Sequence, residues 1–207
     1  MLSLAGDGTA RSYDVVAAAY EARFADELAD KPRDRAILDR FAAAATGPLL
    51  DVGCGPGQIG AYLRGRGHDV LGIDLSPAMV GLARGRLDAV AVGDLRSLPV
   101  RSGAVGGMTA FYCLIHVPRE GRGQALRELA RVLVPGGHLL VTAQEGEGDV
   151  TVEEFLGHQV TLSASFWTIE ELTDGTRAAG LSIVNADRHH PYTREGSSMR
   201  LFVHATR

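Results

Sequence analysis

The chain has 207 residues, 45% of them apolar and 22% charged, with a formal net charge of −4 at pH 7. That length suits one domain with a sizeable core, and the composition is that of an ordinary soluble protein. The mild acidity argues against a nucleic-acid substrate, and no apolar run approaches the ~20 residues of a membrane span.

Residues 1–12 are small and polar and predict a frayed end. They hold no basic region followed by a long apolar segment, so a secretory leader is not expected. From Tyr13 to Ala45 the pattern is helical, with Val15, Val16, Ala19 and Tyr20 on one face and Phe24 and Leu28 on another. Lys31-Pro32 divides it into two helices, the second carrying Ile37, Leu38 and Phe41. Pro48 to Val52 reads as a buried strand. It breaks into glycines at 53, 55 and 57 and leads into a helix with Ile59 and Leu63.

Asp69 to Asp74 is a second strand, and Ser76-Pro77 opens the next helix, serine capping and proline taking the first turn. Ala89 to Val92 is a third strand, 96–103 a turn-rich loop, and Val105 to Tyr112 a fourth strand. A helix beyond Pro118 shows one apolar stripe, Leu126, Leu129, Val132 and Leu133. Pro135-Gly136-Gly137 turns it into a fifth strand, His138 to Ala143. Val152 to Leu156 is expected as a short helical turn and His158 to Phe166 as an extra strand. Thr168 and Glu171 have capping-box spacing for a helix ending near Gly180. Leu181 to Ala186 and Met199 to Ala205 are the last strands. The alternation predicts an α/β fold in one domain, with residues 1–46 as a helical cap and 47–207 as the body.

Strand, glycine turn and helix make a nucleotide-binding element. Glycines accept positive φ and let a ligand approach the bare backbone, and the helix beyond offers free N–H groups. Asp74, about twenty residues on, stands where dinucleotide folds place an acid for ribose hydroxyls. The dinucleotide pattern G-x-G-x-x-G, begun at Gly53, needs glycine at 58, where the chain has Gln58. Cys54 and Cys113, the two cysteines, lack metal-ligand spacing. They read as small buried thiols, reduced by default in a cytoplasmic setting.

Leu49-Leu50-Asp51-Val52-Gly53-Cys54-Gly55-Pro56-Gly57 resembles motif I of the class I S-adenosylmethionine (SAM)-dependent methyltransferases. Asp74, Val92-Gly93-Asp94-Leu95, the Phe111-to-His116 strand end and Leu133-Val134-Pro135-Gly136-Gly137 match further pieces of that family in order. The resemblance covers residues 13–205 and implies a doubly wound, seven-stranded, mostly parallel Rossmann-like sheet under an N-terminal helical cap.

The resemblance also implies SAM as cofactor and a small-molecule methyl acceptor. By it, Asp51 helps hold the methionine ammonium, while Gly53, Gly55 and Gly57 wrap the methionine and ribose. Asp74 takes the ribose hydroxyls, Asp94 and Leu95 contact the adenine, Leu75 and Met79 sandwich it, and the carbonyl near Phe111 binds the ammonium.

Several residues have two readings. Tyr13 and Tyr20 either face the site or pack the cap on the body, and Met79 is either adenine contact or plain core. His116, past the fourth strand, is either a general base, its ordinary pKa being near 6.5, or a loop anchor. His158 and Phe166 either line the acceptor pocket or pack. His189-His190 point oppositely in an extended segment, so no metal site is expected. Rival functions are a SAM-binding regulatory module without transfer and a nicotinamide-dependent oxidoreductase. The composition gives no oligomeric state.

Overall fold

The computed structural model describes residues 4–193 and 195–207. A seven-stranded sheet carries the fold: β1 (Leu49–Val52), β2 (Val70–Asp74), β3 (Ala89–Val92), β4 (Val105–Phe111), β5 (Leu133–Gln144), β8 (Ser182–His189) and β9 (Arg200–Thr206). Their spatial order is β3-β2-β1-β4-β5-β9-β8. β9 runs antiparallel to both neighbours, and the other ladders are parallel. The expected seven-stranded, mostly parallel sheet is therefore what the chain builds.

Neighbouring residues serve opposite faces because side chains alternate along a strand. Leu49 and Leu140 pack with Phe41, Ile59 and Leu63 from α2 (Pro32–Ala44) and α3 (Gln58–Arg64). Leu50 and Leu139 pack with Leu126, Leu129 and Leu172 from α5 (Arg122–Val132) and α6 (Ile169–Ala178). Strands covered on both faces read as continuous apolar runs, which is why β1 and β4 were legible.

The strand order reverses between β1 and β4, and in open α/β sheets ligands sit at the carboxyl edge of that switch point. Above this edge lie α1 (Leu4–Phe24) and a separate hairpin of β6 (Asp149–Phe155) and β7 (His158–Ser165). Val16 of α1 is fully buried against Val160 and Leu162 of β7, and the Ser12 hydroxyl donates to the Thr161 carbonyl at 2.7 Å. α4 (Pro77–Ala83) begins as expected, with Ser76 Oγ accepting from the Met79 N–H. The Thr168–Glu171 capping box is formed in both directions.

Four boundaries differ from the sequence reading. The frayed end expected over 1–12 is helical from Leu4, because tertiary contacts such as Ser12 with β7 hold the first turns; residues 1–3 lie outside the described residues. The expected helical turn at Val152–Leu156 belongs to β6 and its turn. Leu156 and Gly157 both take positive φ, 52° and 79°, the two-residue turn that matches strand twist, and leucine there disguises it. β5 starts at Leu133, before the Pro-Gly-Gly segment, which bulges between the pairs Val105–Leu133 and Gly107–His138. The last loop is shorter than expected because β8 continues to His189. No helix among the described residues is long and apolar enough to cross a membrane.

Candidate active site

The glycine loop leaves β1 with Gly53 at φ 65°, its N–H donating to the Ile73 carbonyl at 2.7 Å. A Cβ at Gly53 would overlap the Cys113 side chain, so both conformation and close approach require glycine. Asp74, at the end of β2, bridges the loop to the next helix. Its Oδ2 accepts the Gly55 N–H and its Oδ1 the Ser76 N–H, each at 2.8 Å. Burial pushes the Asp74 pKa up against those bonds. Each oxygen keeps acceptor capacity, since a carboxylate offers about four lone-pair sites.

Asp51 is 1% exposed. Its Oδ1 accepts from Thr109 Oγ1 at 2.7 Å and its Oδ2 from the Gly60 N–H at 3.1 Å. Burial pushes its carboxyl up to about 7, against these two bonds. In this geometry Asp51 ties β1 to β4 and α3 beneath the loop. Asp94, past β3, is held by the Arg96 guanidinium, with Nη2 to Oδ2 at 2.5 Å and Nε to Oδ1 at 3.0 Å. Burial opposes ionisation there, but the Arg96 bonds win and its pKa lies below the usual range.

Met79 is fully buried, while Leu75, Leu95 and Phe111 are partly exposed. The Phe111 ring packs edge-on to Phe202. Gln58 sends its side-chain N–H to Glu27, leaving its buried Oε1 without a partner.

α1 brings Tyr13 and Tyr20 over this edge, their ring centroids 5.9 Å apart. Tyr13 Oη lies 2.7 Å from His116 Nε2, and His116 Nδ1 lies 2.8 Å from the Ser163 carbonyl. A carbonyl only accepts, so Nδ1 carries the proton and the Nε2 lone pair takes the Tyr13 hydroxyl. Burial pushes the His116 pKa down, with the Ser163 bond opposing. The Tyr13 hydroxyl is pushed up by burial first, then by the nearby Asp74 carboxylate. A neutral imidazole with a fixed tautomer can accept a proton.

Asp14, one residue on, holds the α4 entrance. Its Oδ1 accepts from Ser76 Oγ at 2.5 Å and from the Ala78 N–H at 3.0 Å.

Not every expected residue joins this group. His158 is exposed at the turn end of the hairpin, paired with Phe155. Phe166 packs on Gly146, and its carbonyl accepts from Arg122 at 2.6 Å, on the side where Arg122 stacks on Trp167. Sequence reasoning missed Asp14, Arg96 and Ser163. A signal existed for Thr109, a polar residue inside the buried run of β4. Asp14 and Ser163 lie 62 and 47 residues from their partners Ser76 and His116 and left no local signal.

Comparison with known proteins adds the following. A family model described as a methyltransferase domain matches residues 50–141. A malonyl-[acyl-carrier protein] O-methyltransferase from Pseudescherichia vulneris is 28% identical over 199 residues, covering 80% of this chain and 77% of that protein. The methyltransferase GfsG of Streptomyces halstedii is 35% identical over 51% of this chain and 40% of its own length. The chain thus spans about two fifths of GfsG, and less than half of several other curated relatives.

Among solved structures, a DhpI complex with S-adenosylhomocysteine (SAH) superposes with a TM-score of 0.74 at 22% identity, covering 97% of this chain and 95% of that one. The [4+2]-cyclase SpnF superposes at 0.62 with 24% identity, covering 84% and 81%. Likeness at these identities speaks for the fold.

Proposed function

We propose that the chain is a member of the class I SAM-dependent methyltransferase superfamily, and that it transfers the methyl group of SAM to an oxygen, carbon or nitrogen of a small-molecule acceptor. The observation that carries this is the bridge from Asp74 to Gly55 and Ser76 at the sheet's switch point. It sets a carboxylate beside bare glycine backbone, as a ribose needs.

The residues fit the cofactor. Gly55 leaves backbone open to a close ligand, Asp74 retains lone pairs, and the buried Gln58 Oε1 lacks a donor. When bound, SAM supplies a methyl group already activated by sulfonium, so the protein's share is orientation and water exclusion. Asp74 would hold the ribose and Leu75 and Met79 the adenine face. Asp94 would take the adenine amino group while still paired with Arg96. His116 would receive the acceptor's proton.

One similar protein is a tRNA (carboxymethyluridine(34)-5-O)-methyltransferase from Mus musculus, yet the net charge of −4 favours a small acceptor over nucleic acid. Two free thiols fit a cytoplasmic setting. The same fold carries a [4+2]-cyclase, SpnF, so a second reading stands beside the first, a SAM-binding module without methyl transfer.

Calorimetric titration with SAM and with NAD, followed by labelled-methyl transfer into fractionated metabolite extract, tests the proposal. Saturable SAM binding with label appearing in a small molecule is expected. NAD binding without SAM binding would overturn it, and SAM binding with no release of SAH in any fraction would favour the second reading.

A further inference from the structure

The Nε2 lone pair of His116 is covered. A neutral imidazole has one such lone pair, and the Tyr13 hydroxyl occupies it at 2.7 Å. The other ring nitrogen is spent on the Ser163 carbonyl, and the ring packs edge-on to Tyr13 with centroids 5.3 Å apart. A proton can therefore reach Nε2 along that lone pair only by way of the Tyr13 oxygen.

Resting on the methyltransferase reading above, we propose that Tyr13 is a catalytic residue that relays the acceptor's proton to His116, and that the acceptor is therefore a protic hydroxyl or amine rather than a carboxylate.

The step balances. The acceptor's lone pair bonds to the methyl carbon as the carbon–sulfur bond breaks and its electron pair stays on sulfur. The acceptor's proton passes to the Tyr13 oxygen while the Tyr13 hydroxyl proton passes to His116 Nε2. The products are the methylated acceptor, the neutral thioether and an imidazolium. Tyrosine suits a relay here because it never holds the negative charge, which burial beside Asp74 and Cys113 disfavours. An ionised carboxylate acceptor has no proton to give and leaves such a relay idle.

α1 also explains why the pair is precise. Ser12 is bonded to Thr161 of β7, and Ser163, two residues on, holds His116. One strand thus fixes both the tyrosine's helix and the histidine's tautomer. The groups facing the imidazole are Tyr13 from α1 and the Ser163 carbonyl from β7, with Asp74 and Cys113 behind Tyr13.

Two measurements test this. Nitrogen-15 NMR of the histidine rings in the purified protein, with His116 assigned by loss of its signals in His116→Gln, should show Nδ1 protonated and Nε2 bare. Tyr13→Phe should move the Nε2 resonance and raise the titration midpoint, because the lost hydrogen bond favoured the neutral ring. A protonated Nε2, or an Nε2 resonance indifferent to Tyr13→Phe, overturns the proposal.

The second measurement is labelled-methyl transfer from SAM into metabolite extract. Tyr13→Phe and His116→Gln should each lower kcat by ~10²-fold or more, with SAM affinity within about threefold of wild type by calorimetry. The double variant should be no slower than the slower single variant, since groups acting as a unit are not additive. The label should sit in a base-stable ether or methylamine. Tyr13→Phe keeping more than about a third of kcat, or a label released by base as from a methyl ester, overturns the relay. Absence of SAM binding in the wild type would instead overturn the parent reading.

Discussion

The guanidinium of Arg200 forks the carboxylate of Asp34, with Nη1–Oδ1 at 2.8 Å and Nη2–Oδ2 at 2.6 Å. The two side chains are 4% and 3% exposed. This pair fastens α2 to the start of β9. Arg200 Nε also donates to Tyr112 Oη at 2.6 Å, reaching the residue after β4, which sits at φ 55°. The Tyr112, Tyr192 and Phe202 rings surround the cation with centroids 5.1–5.5 Å away.

Removing one partner of a buried pair leaves the other charged and dry, which costs about 3–5 kcal/mol. Arg200→Met should lower stability by that order in urea unfolding, and Asp34→Ala by less, because Arg200 keeps Glu195 at 3.2 Å from its Nε. The double variant Asp34→Leu with Arg200→Met should recover much of the loss, because an apolar replacement of a whole pair is often neutral. A double variant as unstable as the sum of the singles would contradict this.

Asp74→Ala should weaken SAM binding at least tenfold. Charge-assisted hydrogen bonds contribute roughly 1.5–3 kcal/mol each, and ~1.4 kcal/mol is tenfold. Calorimetry measures it, with circular dichroism confirming the fold. The loop also loses its tie to Gly55, so the Gly55 amide should exchange faster in the variant.

Asp51 links stability to pH. Its folded pKa, about 7, lies above the ordinary carboxylate value of 3.8 because burial disfavours the charge. The contribution of its protonated form is complete below the unfolded pKa and is lost as pH rises through the folded one. The fall should lie between about pH 4 and pH 7 and reach at most ~4 kcal/mol, at 1.36 kcal/mol per unit. The difference in unfolding free energy between wild type and Asp51→Asn should therefore change steadily across that window. A pH-independent difference would show that the carboxyl ionises as easily folded as unfolded.

Gly53→Ala should lower stability by at least about 1–2 kcal/mol, the cost of a left-handed conformation for a residue with a Cβ. The overlap with Cys113 adds to it. Gly55→Ala has space, its nearest neighbour being Tyr20 Cε1 at 3.8 Å, and should be milder in thermal melting. Equal effects would show that contact with Cys113 is not what position 53 resists.

By itself the sequence determined the α/β body. A buried parallel strand needs an apolar run, and a helix on the sheet needs an apolar stripe. Leu49–Val52, Val70–Asp74 and Leu126–Leu133 display these patterns within a few residues. The glycines at 53, 55 and 57 and the acid at 74 were legible for the same reason, since a tight turn and a strand-end carboxylate are local requirements. The serine cap at Ser76 and the Thr168–Glu171 box were local too. The β6 turn was not read, because leucine at position 156 adopts a conformation its side chain disfavours, and only pairing with β7 repays it.

Tertiary structure decided what each site residue faces. Asp51 was expected beneath the glycine loop, and the packing adds Gly60 and, 58 residues away, Thr109 as partners of its two oxygens. Asp94 was legible as an acid, yet its pairing with Arg96 depends on how the loop after β3 closes. Tyr13 and His116 stood as two candidates with two meanings each. They become one hydrogen-bonded pair because α1 crosses the carboxyl edge and β7 presents the Ser163 carbonyl, 47 residues from His116. Periodicity and turn chemistry act over a few residues and so write themselves into the sequence. A hydrogen bond between elements 103 residues apart is set by how the layers pack, which no local pattern records.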